Sequence, residues 1–178
     1  MNAAARVRLF FAAWPPARGA ARLEAWGKET AAATGGRVTR AETIHLTLAF
    51  LGELPVTRGA DAIAAARRVQ APAHAFEIDE ARYWAHNRIV WVGPRETPAS
   101  LAALVEGLRH ELEVSGFALE RRAFAAHITL IRKARVPAMP LEPPAVHWPV
   151  REFVLVRSRS EREGSRYEAL ERFPLAGG

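Results

Sequence analysis

The sequence predicts an α+β fold in which two pseudo-symmetric lobes, each an antiparallel sheet with helices on its outer side, face each other across a central cleft. Three observations support this prediction. The pattern His-apolar-Thr-apolar occurs twice, at His45 and at His127; segments typical of strands and of helices alternate; and no low-complexity linker divides the 178 residues. We therefore expect one bilobal domain over residues 1–178.

In the first half of the chain, an apolar strand precedes a pair of prolines, which are favoured at the start of a helix, and a pair of glycines ends that helix. A threonine is a suitable cap for a second, alanine-rich helix. Alternating apolar and polar residues predict the remaining strands. The predicted elements are strand 7–13, helix 15–34, strand 37–39, strand 44–51, turn 52–55, helix 57–70 and a hairpin of strands 76–83 and 88–92.

In the second half, leucine and valine residues at three- and four-residue spacing predict a third helix with one buried face. Prolines concentrated over 137–149 predict an irregular or extended loop. The chain then ends in a hairpin with a charged turn over 161–164. The predicted elements are helix 98–115, strands 118–120, 125–131, 152–160 and 166–171, and a helical face of Leu101, Leu104, Val105, Leu108 and Leu112.

The two His-apolar-Thr-apolar copies are predicted to be half-buried strands, because successive side chains of a strand point to opposite faces. His45 and Thr47 therefore share one face, as do His127 and Thr129 in the second copy. An approximate two-fold axis relating the copies would bring both polar faces together across a cleft. The apolar side chains expected on the opposite, buried faces are Ile44, Leu46, Leu48, Phe50, Ile128 and Leu130.

Two histidines that face one ligand are suited to displacement at phosphorus. Imidazole has an ordinary pKa of about 6.5, so one ring can accept a proton from the attacking group while the other donates one to the departing oxygen. Threonine hydroxyls and the guanidinium of Arg132 can hold the non-bridging phosphate oxygens. This chemistry requires no metal or cofactor, and we expect none. The alternative from a different class is a non-catalytic RNA-binding module with the same cleft.

The composition favours a protein that binds polyanions. The formal net charge is +6, and all but two of the cationic residues are arginine, although biased codon usage would give the same excess. The lack of cysteine excludes disulfides, thiol nucleophiles and thiolate metal sites. No apolar segment has the length of a membrane span and the first residues lack the features of a signal peptide, so we expect a cytoplasmic protein without membrane contact. We also expect a monomer.

A few other residues are candidates for contact with RNA. Lys133 and Arg135 follow Arg132 directly and form a candidate RNA-facing patch. Trp84 and Trp148 lie in or beside predicted loops, so they are the tryptophans best placed to stack on a nucleobase. The isolated histidines, predicted to lie on the surface or in loops, are His74, His86, His110 and His147.

The histidine motifs and their flanks match a known family over nearly the whole chain. The matching segments are Arg8-Leu9-Phe10-Phe11-Ala12-Ala13, His45-Leu46-Thr47-Leu48, Phe50-Leu51-Gly52, Gly116-Phe117, Glu120-Arg121-Arg122, Phe124, His127-Ile128-Thr129-Leu130, Arg132, Ser158 and Arg166-Tyr167-Glu168. They resemble the 2'-5' RNA ligase family, also called RNA 2',3'-cyclic phosphodiesterases, of the two-histidine phosphoesterase superfamily. One position departs from the family pattern, which often has proline before the second histidine, where this chain has Ala126.

The resemblance implies a single bilobal phosphoesterase domain over residues 1–178 and a role for each site residue. His45 resembles the general acid, the proton donor to the leaving ribose oxygen, and His127 resembles the general base, the proton acceptor that activates water. Thr47, Thr129 and Arg132 resemble the substrate-binding groups that hold the phosphate.

The reaction implied by the resemblance opens a terminal ribonucleoside 2',3'-cyclic phosphate to a 2'-phosphate, without a metal or cofactor. The implied partner is RNA with such an end, or a related nucleotide. Attack by an RNA hydroxyl in place of water would give 2'-5' RNA ligase activity. The closest alternative is a phosphodiesterase for another cyclic or 2'-5'-linked nucleotide, because the base-contacting residues cannot be located from the sequence.

Overall fold

The computed structural model describes residues 5–162 and 164–177. Positions 1–4, position 163 of the predicted charged turn and position 178 lie outside the described residues. The described chain has the predicted α+β class. Its strands are β1 Arg6–Ala13, β2 Arg37–Val38, β3 Leu46–Pro55, β4 His74–Ile78, β5 Glu80–Trp84, β6 Ile89–Gly93, β7 Ile128–Arg132, β8 Val146–Val150, β9 Glu152–Glu161 and β10 Gly164–Pro174. Its α-helices are α1 Ala17–Thr34, α2 Arg58–Ala66 and α3 Ala99–Val114.

Two four-stranded sheets carry the motif strands. One has the order β10-β9-β1-β3 and the other β2-β7-β6-β5, and their strand pairings are antiparallel. Each sheet takes strands from both halves of the chain, because the C-terminal hairpin joins β1 and the β5–β6 hairpin joins β7. The two lobes are therefore not separate halves of the chain, although each half carries one copy of the motif.

Both motif strands contain a β-bulge immediately after the motif threonine. Opposite β1, Thr47 and Ala49 pair with consecutive residues and Leu48 is the extra residue; opposite β6, Leu130 is the extra residue in the same way. An extra residue reverses the alternation of side chains beyond it. The prediction that Phe50 is buried is therefore wrong, and its side chain is 43% exposed on the side of His45 and Thr47.

The hydrophobic core is shared by the two sheets and the helices. It includes Leu9 and Phe11 of β1 together with Ile128 and Leu130 of β7, and all four side chains are fully buried. Burial of one such side chain contributes about 1.5–3 kcal/mol. The predicted buried face of α3 is confirmed, since the buried residues of that helix are Leu101, Leu104, Val105, Leu108 and Leu112.

Four local predictions are wrong. The predicted turn at 52–55 continues β3, because Gly52 has a positive φ of 73° and accommodates a second bulge while pairing with β1 continues. The predicted strand 76–83 divides near Asp79 into β4, which pairs with β8, and β5, which pairs with β6. Residues 118–120 are not a strand, and the proline-rich loop contains β8, where Pro149 is tolerated in a two-stranded ribbon.

None of the helices in the described part of the chain combines the length and the apolar character needed to cross a membrane.

Candidate active site

A cleft with a volume of about 690 Å³ lies between the two motif strands. All five residues that the sequence nominates line this cleft, so the structure brings the two motif copies together as predicted. They are His45, Thr47, His127, Thr129 and Arg132. Arg132 reaches this face because of the Leu130 bulge, which strict alternation along β7 would not allow.

His45 lies directly before β3 and is held at both ring nitrogens. Its Nδ1 is 2.8 Å from the carbonyl oxygen of Thr43, which ends a single 3-10 turn. A carbonyl oxygen can only accept, so Nδ1 carries the proton and donates it. In the neutral ring, Nε2 then accepts from the Thr47 hydroxyl at 3.1 Å. Thr43 and Thr47 thus fix both the tautomer and the orientation of the imidazole.

His127 has an equivalent anchor directly before β7. Its Nδ1 donates to the carbonyl oxygen of Ala125 at 2.9 Å, which leaves Nε2 as the nitrogen that can accept a proton. The neighbouring Ala126 is buried, and its carbonyl oxygen would lie only 2.6 Å from a Cβ placed on Gly93. Glycine at the end of β6 therefore permits the close approach that positions this histidine.

Aromatic rings enclose both imidazoles. The His45 ring lies 5.1 Å from Phe10, 5.2 Å from Tyr167 and 5.8 Å from Trp14, measured between ring centroids. The His127 ring lies 4.7 Å from Trp84 and 6.2 Å from Trp91. These rings exclude water from one side of each imidazole and leave the cleft as its open side.

This enclosure favours the neutral form of both histidines. Burial is the main cause that lowers the pKa of His45 to about 4; the bond to the Thr43 carbonyl opposes the change, and the charges of Arg132 and His127 add to it. The pKa of His127 is also lowered, again mainly by burial, with contributions from the charges of Arg122 and Arg132. Without a ligand, both rings are therefore mostly neutral near pH 7.

The cleft is strongly basic. Of the described residues that line it, none is acidic, and the five cationic ones are Arg8, Arg37, Arg40, Arg122 and Arg132. A bound anion would offset the mutual repulsion of these positive charges, and a guanidinium matches the geometry of a phosphate. Within residues 5–162 and 164–177, no group of three or more His, Asp or Glu side chains is arranged to hold a metal ion.

The family follows from comparison of the whole chain. A family model described as LigT-like phosphoesterase matches residues 14–91 and again residues 92–167. The chain belongs to this family. Each match contains one copy of the histidine motif, so the LigT-like family model detects the same internal repeat that the motifs indicate.

The similarity to known proteins extends over almost the whole length of this LigT-like chain. The RNA 2',3'-cyclic phosphodiesterase of Escherichia coli strain K12 is 36% identical over 170 residues, which cover 94% of this chain and 96% of that protein. The protein of the same name from Thermus thermophilus is 33% identical over 183 residues, with 96% and 91% coverage. The crystal structure of E. coli LigT complexed with 3'-AMP has a TM-score of 0.88 at 34% identity and covers 97% of this chain and 99% of that one.

The remaining sequence-based predictions for this LigT-like site have mixed outcomes. Trp84 lines the cleft, but Trp148 is fully buried in β8 and stacks on Phe76, so it cannot contact a ligand there. Lys133 and Arg135 are exposed but lie outside the residues that line the cleft, because the Leu130 bulge directs only Arg132 into it. The isolated His86, His110 and His147 are exposed and His74 is half-buried, and none of these four lines the cleft.

Sequence reasoning missed most of the aromatic and arginine lining. Phe10 and Tyr167 stand in segments that carry the family resemblance, yet nothing in their spacing indicates contact with His45. Arg37 and Arg40 are indistinguishable in sequence from the many arginines on helix surfaces. One available signal is positional: Phe50 and Arg132 each stand five residues after a motif histidine.

Proposed function

We propose that this LigT-like phosphoesterase is an RNA 2',3'-cyclic phosphodiesterase that opens a terminal ribonucleoside 2',3'-cyclic phosphate to a 2'-phosphate. The observation that carries the proposal is the pair of imidazoles, each with Nδ1 held by a backbone carbonyl, on one arginine-lined cleft. The names of the E. coli and T. thermophilus relatives support the substrate class, as does the 3'-AMP complex of E. coli LigT.

In the proposed mechanism, His127 Nε2 accepts a proton from water as the water oxygen forms a bond to phosphorus. The bond between phosphorus and the 3' oxygen breaks, and His45 Nε2 donates a proton to that oxygen. The ring opens to a 2'-phosphate and a 3'-hydroxyl. The assignment of acid and base follows the family resemblance, because the two histidines have nearly equivalent anchors.

Thr47, Thr129 and Arg132 are proposed to hold the non-bridging phosphate oxygens. The support is that all three line the cleft beside the histidines, with Thr47 already bonded to His45. We also propose that the chain acts as one bilobal phosphoesterase domain, because each sheet contributes one histidine to a single cleft above a shared core. The monomeric state, the cytoplasmic location and 2'-5' ligation stay predictions.

The direct test is hydrolysis of an RNA oligonucleotide that ends in a 2',3'-cyclic phosphate, with EDTA present. We expect conversion to a 2'-phosphate, identified against oligonucleotides ending in a 2'- and a 3'-phosphate. The His110→Ala variant is a matched control, because His110 is exposed on α3 outside the cleft, and it should retain full activity. An unchanged terminus would contradict the proposal, and a 3'-phosphate product would contradict the polarity of ring opening.

The lowered pKa of His45 predicts that kcat and kcat/KM depend differently on pH. The free enzyme determines kcat/KM, and there the acid His45 has a pKa of about 4, so kcat/KM should peak below pH 6.5 and fall at higher pH. A bound phosphate stabilises the imidazolium, so the descending limb of kcat should lie at higher pH than that of kcat/KM. Steady-state rates from pH 4 to 9 would test this, and coincident descending limbs would contradict it.

A further inference from the structure

A second groove with a volume of about 340 Å³ continues from the cleft along β1 and β9. We name it the β1–β9 groove and define it by Arg6, Arg8, Arg157, Ser158, Arg159 and Ser160. It is continuous with the cleft because Arg8 and Ser158, which stand opposite each other in the sheet, line both.

The face of β1 changes character along its length. Phe10 and Ala12 pack on the side where Phe10 contacts His45, and on the same face Arg8 and Arg6 follow towards the end of the strand. Residues two apart on a strand are separated by about 7 Å. The apolar floor beneath the imidazole thus gives way to a row of guanidinium groups that leads away from the site.

The contacts that Arg6 and Arg8 make do not neutralise their positive charges. Arg6 donates to the backbone carbonyl oxygen of Glu53 at 2.7 Å, and the Arg8 guanidinium lies 5.0 Å from the centre of the Phe50 ring. A carbonyl oxygen and an aromatic ring are neutral partners, so both cations can still attract an anion. The described lining of the groove contains four arginines and one carboxylate, that of Glu53.

The other strand contributes two more arginines to the groove lining. Arg157 and Arg159 alternate with Ser158 and Ser160, so their side chains start on the opposite face of the sheet from Arg6 and Arg8. Arg157 pairs with Glu168 of β10, and this bond, together with the charges of Arg157, Arg159 and Arg166, lowers the pKa of the Glu168 carboxyl. Glu168 thus offsets the charge of Arg157, and the charges of Arg159 and Arg166 also favour its ionised form.

The chemistry of the proposed substrate requires such a path. The cyclic phosphate is at the 3' end of the RNA, so the chain can continue only through the 5' oxygen of the terminal nucleotide, and its phosphates must leave the cleft in one direction. A different extension of the cleft, of about 220 Å³ beside Phe50 and Phe124, has a mostly apolar lining that includes Leu48 and Leu119. Its described charged residues are two arginines and one glutamate, whereas the β1–β9 groove has four arginines and one glutamate. Phosphates are better matched by the arginines of the β1–β9 groove.

We propose that the β1–β9 groove binds the phosphodiester backbone of the RNA nucleotides that precede the terminal 2',3'-cyclic phosphate. This inference rests on the proposed function and adds the direction in which the RNA lies. Arg6 and Arg159 contact these upstream phosphates, whereas Arg8 stands at the junction with the cleft. A cyclic mononucleotide has no upstream phosphate and does not use the groove.

The test compares two substrates in the Arg6→Gln/Arg159→Gln double variant. We expect kcat/KM for a single-stranded oligonucleotide with a 2',3'-cyclic phosphate to fall about tenfold, while that for a nucleoside 2',3'-cyclic phosphate stays within about twofold. The dependence of log Kd on log salt concentration for the oligonucleotide should become shallower by about 1 to 1.5, as expected from two lost phosphate contacts to a single strand.

The Arg18→Gln/Arg22→Gln double variant is the matched control. Both residues are exposed on α1 and outside the groove, and the variant removes the same charge. Equal losses in the two double variants would show an effect of net charge and would overturn the inference. An unchanged oligonucleotide rate, or equal losses on both substrates in the groove variant, would overturn it as well.

Binding separates failure of this inference from failure of the proposed function. If the unmodified protein hydrolyses neither substrate, the proposed function fails. Fluorescence anisotropy with the same oligonucleotide, fluorescently labelled, then tests RNA binding by the groove independently of hydrolysis. A weaker, less salt-dependent affinity in the groove variant but not in the α1 variant supports it. Equal affinities in both variants overturn it.

Discussion

Replacement of His45 or of His127 by alanine is expected to lower kcat for ring opening by about 10²–10⁴-fold each. Each substitution removes a group that is proposed to move a proton in the transition state, while the arginines that line the cleft and are proposed to bind the phosphate stay in place. KM should therefore change much less than kcat. Single-turnover rates on the cyclic-phosphate oligonucleotide give the loss in the chemical step directly.

The His45→Ala and His127→Ala variants should differ in their rates on a substrate whose leaving group needs no proton. A nucleoside p-nitrophenyl phosphodiester loses p-nitrophenolate unassisted, so His45→Ala should recover most of its rate on this substrate if His45 is the acid. His127→Ala should remain impaired, because water still requires a base. The opposite pattern would exchange the two roles, and equal impairment of both variants on both substrates would contradict the division into acid and base.

Loss of structure must be separated from loss of proton transfer. His45 bonds to Thr43 and Thr47 and packs among three aromatic rings, so alanine there also leaves a cavity. The His45→Gln variant retains polar atoms at this place and should show a similar loss of kcat. Thermal unfolding and the affinity for inorganic phosphate should be nearly unchanged in it, and a variant that binds phosphate but does not turn over isolates the chemical role.

The repeated motif was sufficient to predict the centre of the molecule. Two short strands with histidine and threonine on one face require a polar space between them, and the structure places both copies on one cleft. Helices α1 and α3 were predictable for a similar reason, since their apolar stripes and their proline and glycine boundaries are local signals. Such signals depend on residues a few positions apart.

The features that sequence reasoning missed depend on distant partners. The bulges at Leu48 and Leu130 exist only relative to β1 and β6, and no residue near them marks an extra position. The same holds for the split near Asp79, because β4 pairs with β8, which lies about seventy residues away in the sequence. The aromatic enclosure of His45 unites β1, the segment after it and β10, which pairing alone could not reveal.

The two bulges also explain how a nearly symmetric site becomes asymmetric. Each directs the residue three positions after the motif threonine into the cleft, and that residue is Phe50 in one lobe and Arg132 in the other. The first lobe therefore offers an aromatic face, and the second offers a permanent charge. The charge of Arg132 acts on both histidines, because it contributes to the lowered pKa of each.

The Arg132→Gln variant is accordingly expected to lower kcat/KM by about 10²-fold, as loss of a charged contact to phosphate typically costs about 1.5–3 kcal/mol. Arg132→Lys should retain part of the activity, since an ammonium keeps the charge but cannot form the two parallel bonds of a guanidinium. Arg135→Gln is the matched control, because Arg135 is exposed nearby but does not line the cleft.

The Arg132→Gln variant should also change the pKa of His45 in the ligand-free protein, which loss of phosphate binding alone would not do. Removal of the Arg132 charge lessens the repulsion of the His45 imidazolium, so the pKa of His45 should rise from about 4, whereas Arg135→Gln should leave it unchanged. Titration of the imidazole resonances by NMR measures this shift without substrate. If activity falls in Arg132→Gln while the pKa of His45 stays the same, Arg132 holds phosphate but does not keep the acid neutral in the empty site. A lower pKa of His45 would contradict the proposed electrostatic coupling, because it would mean that the guanidinium stabilises the imidazolium.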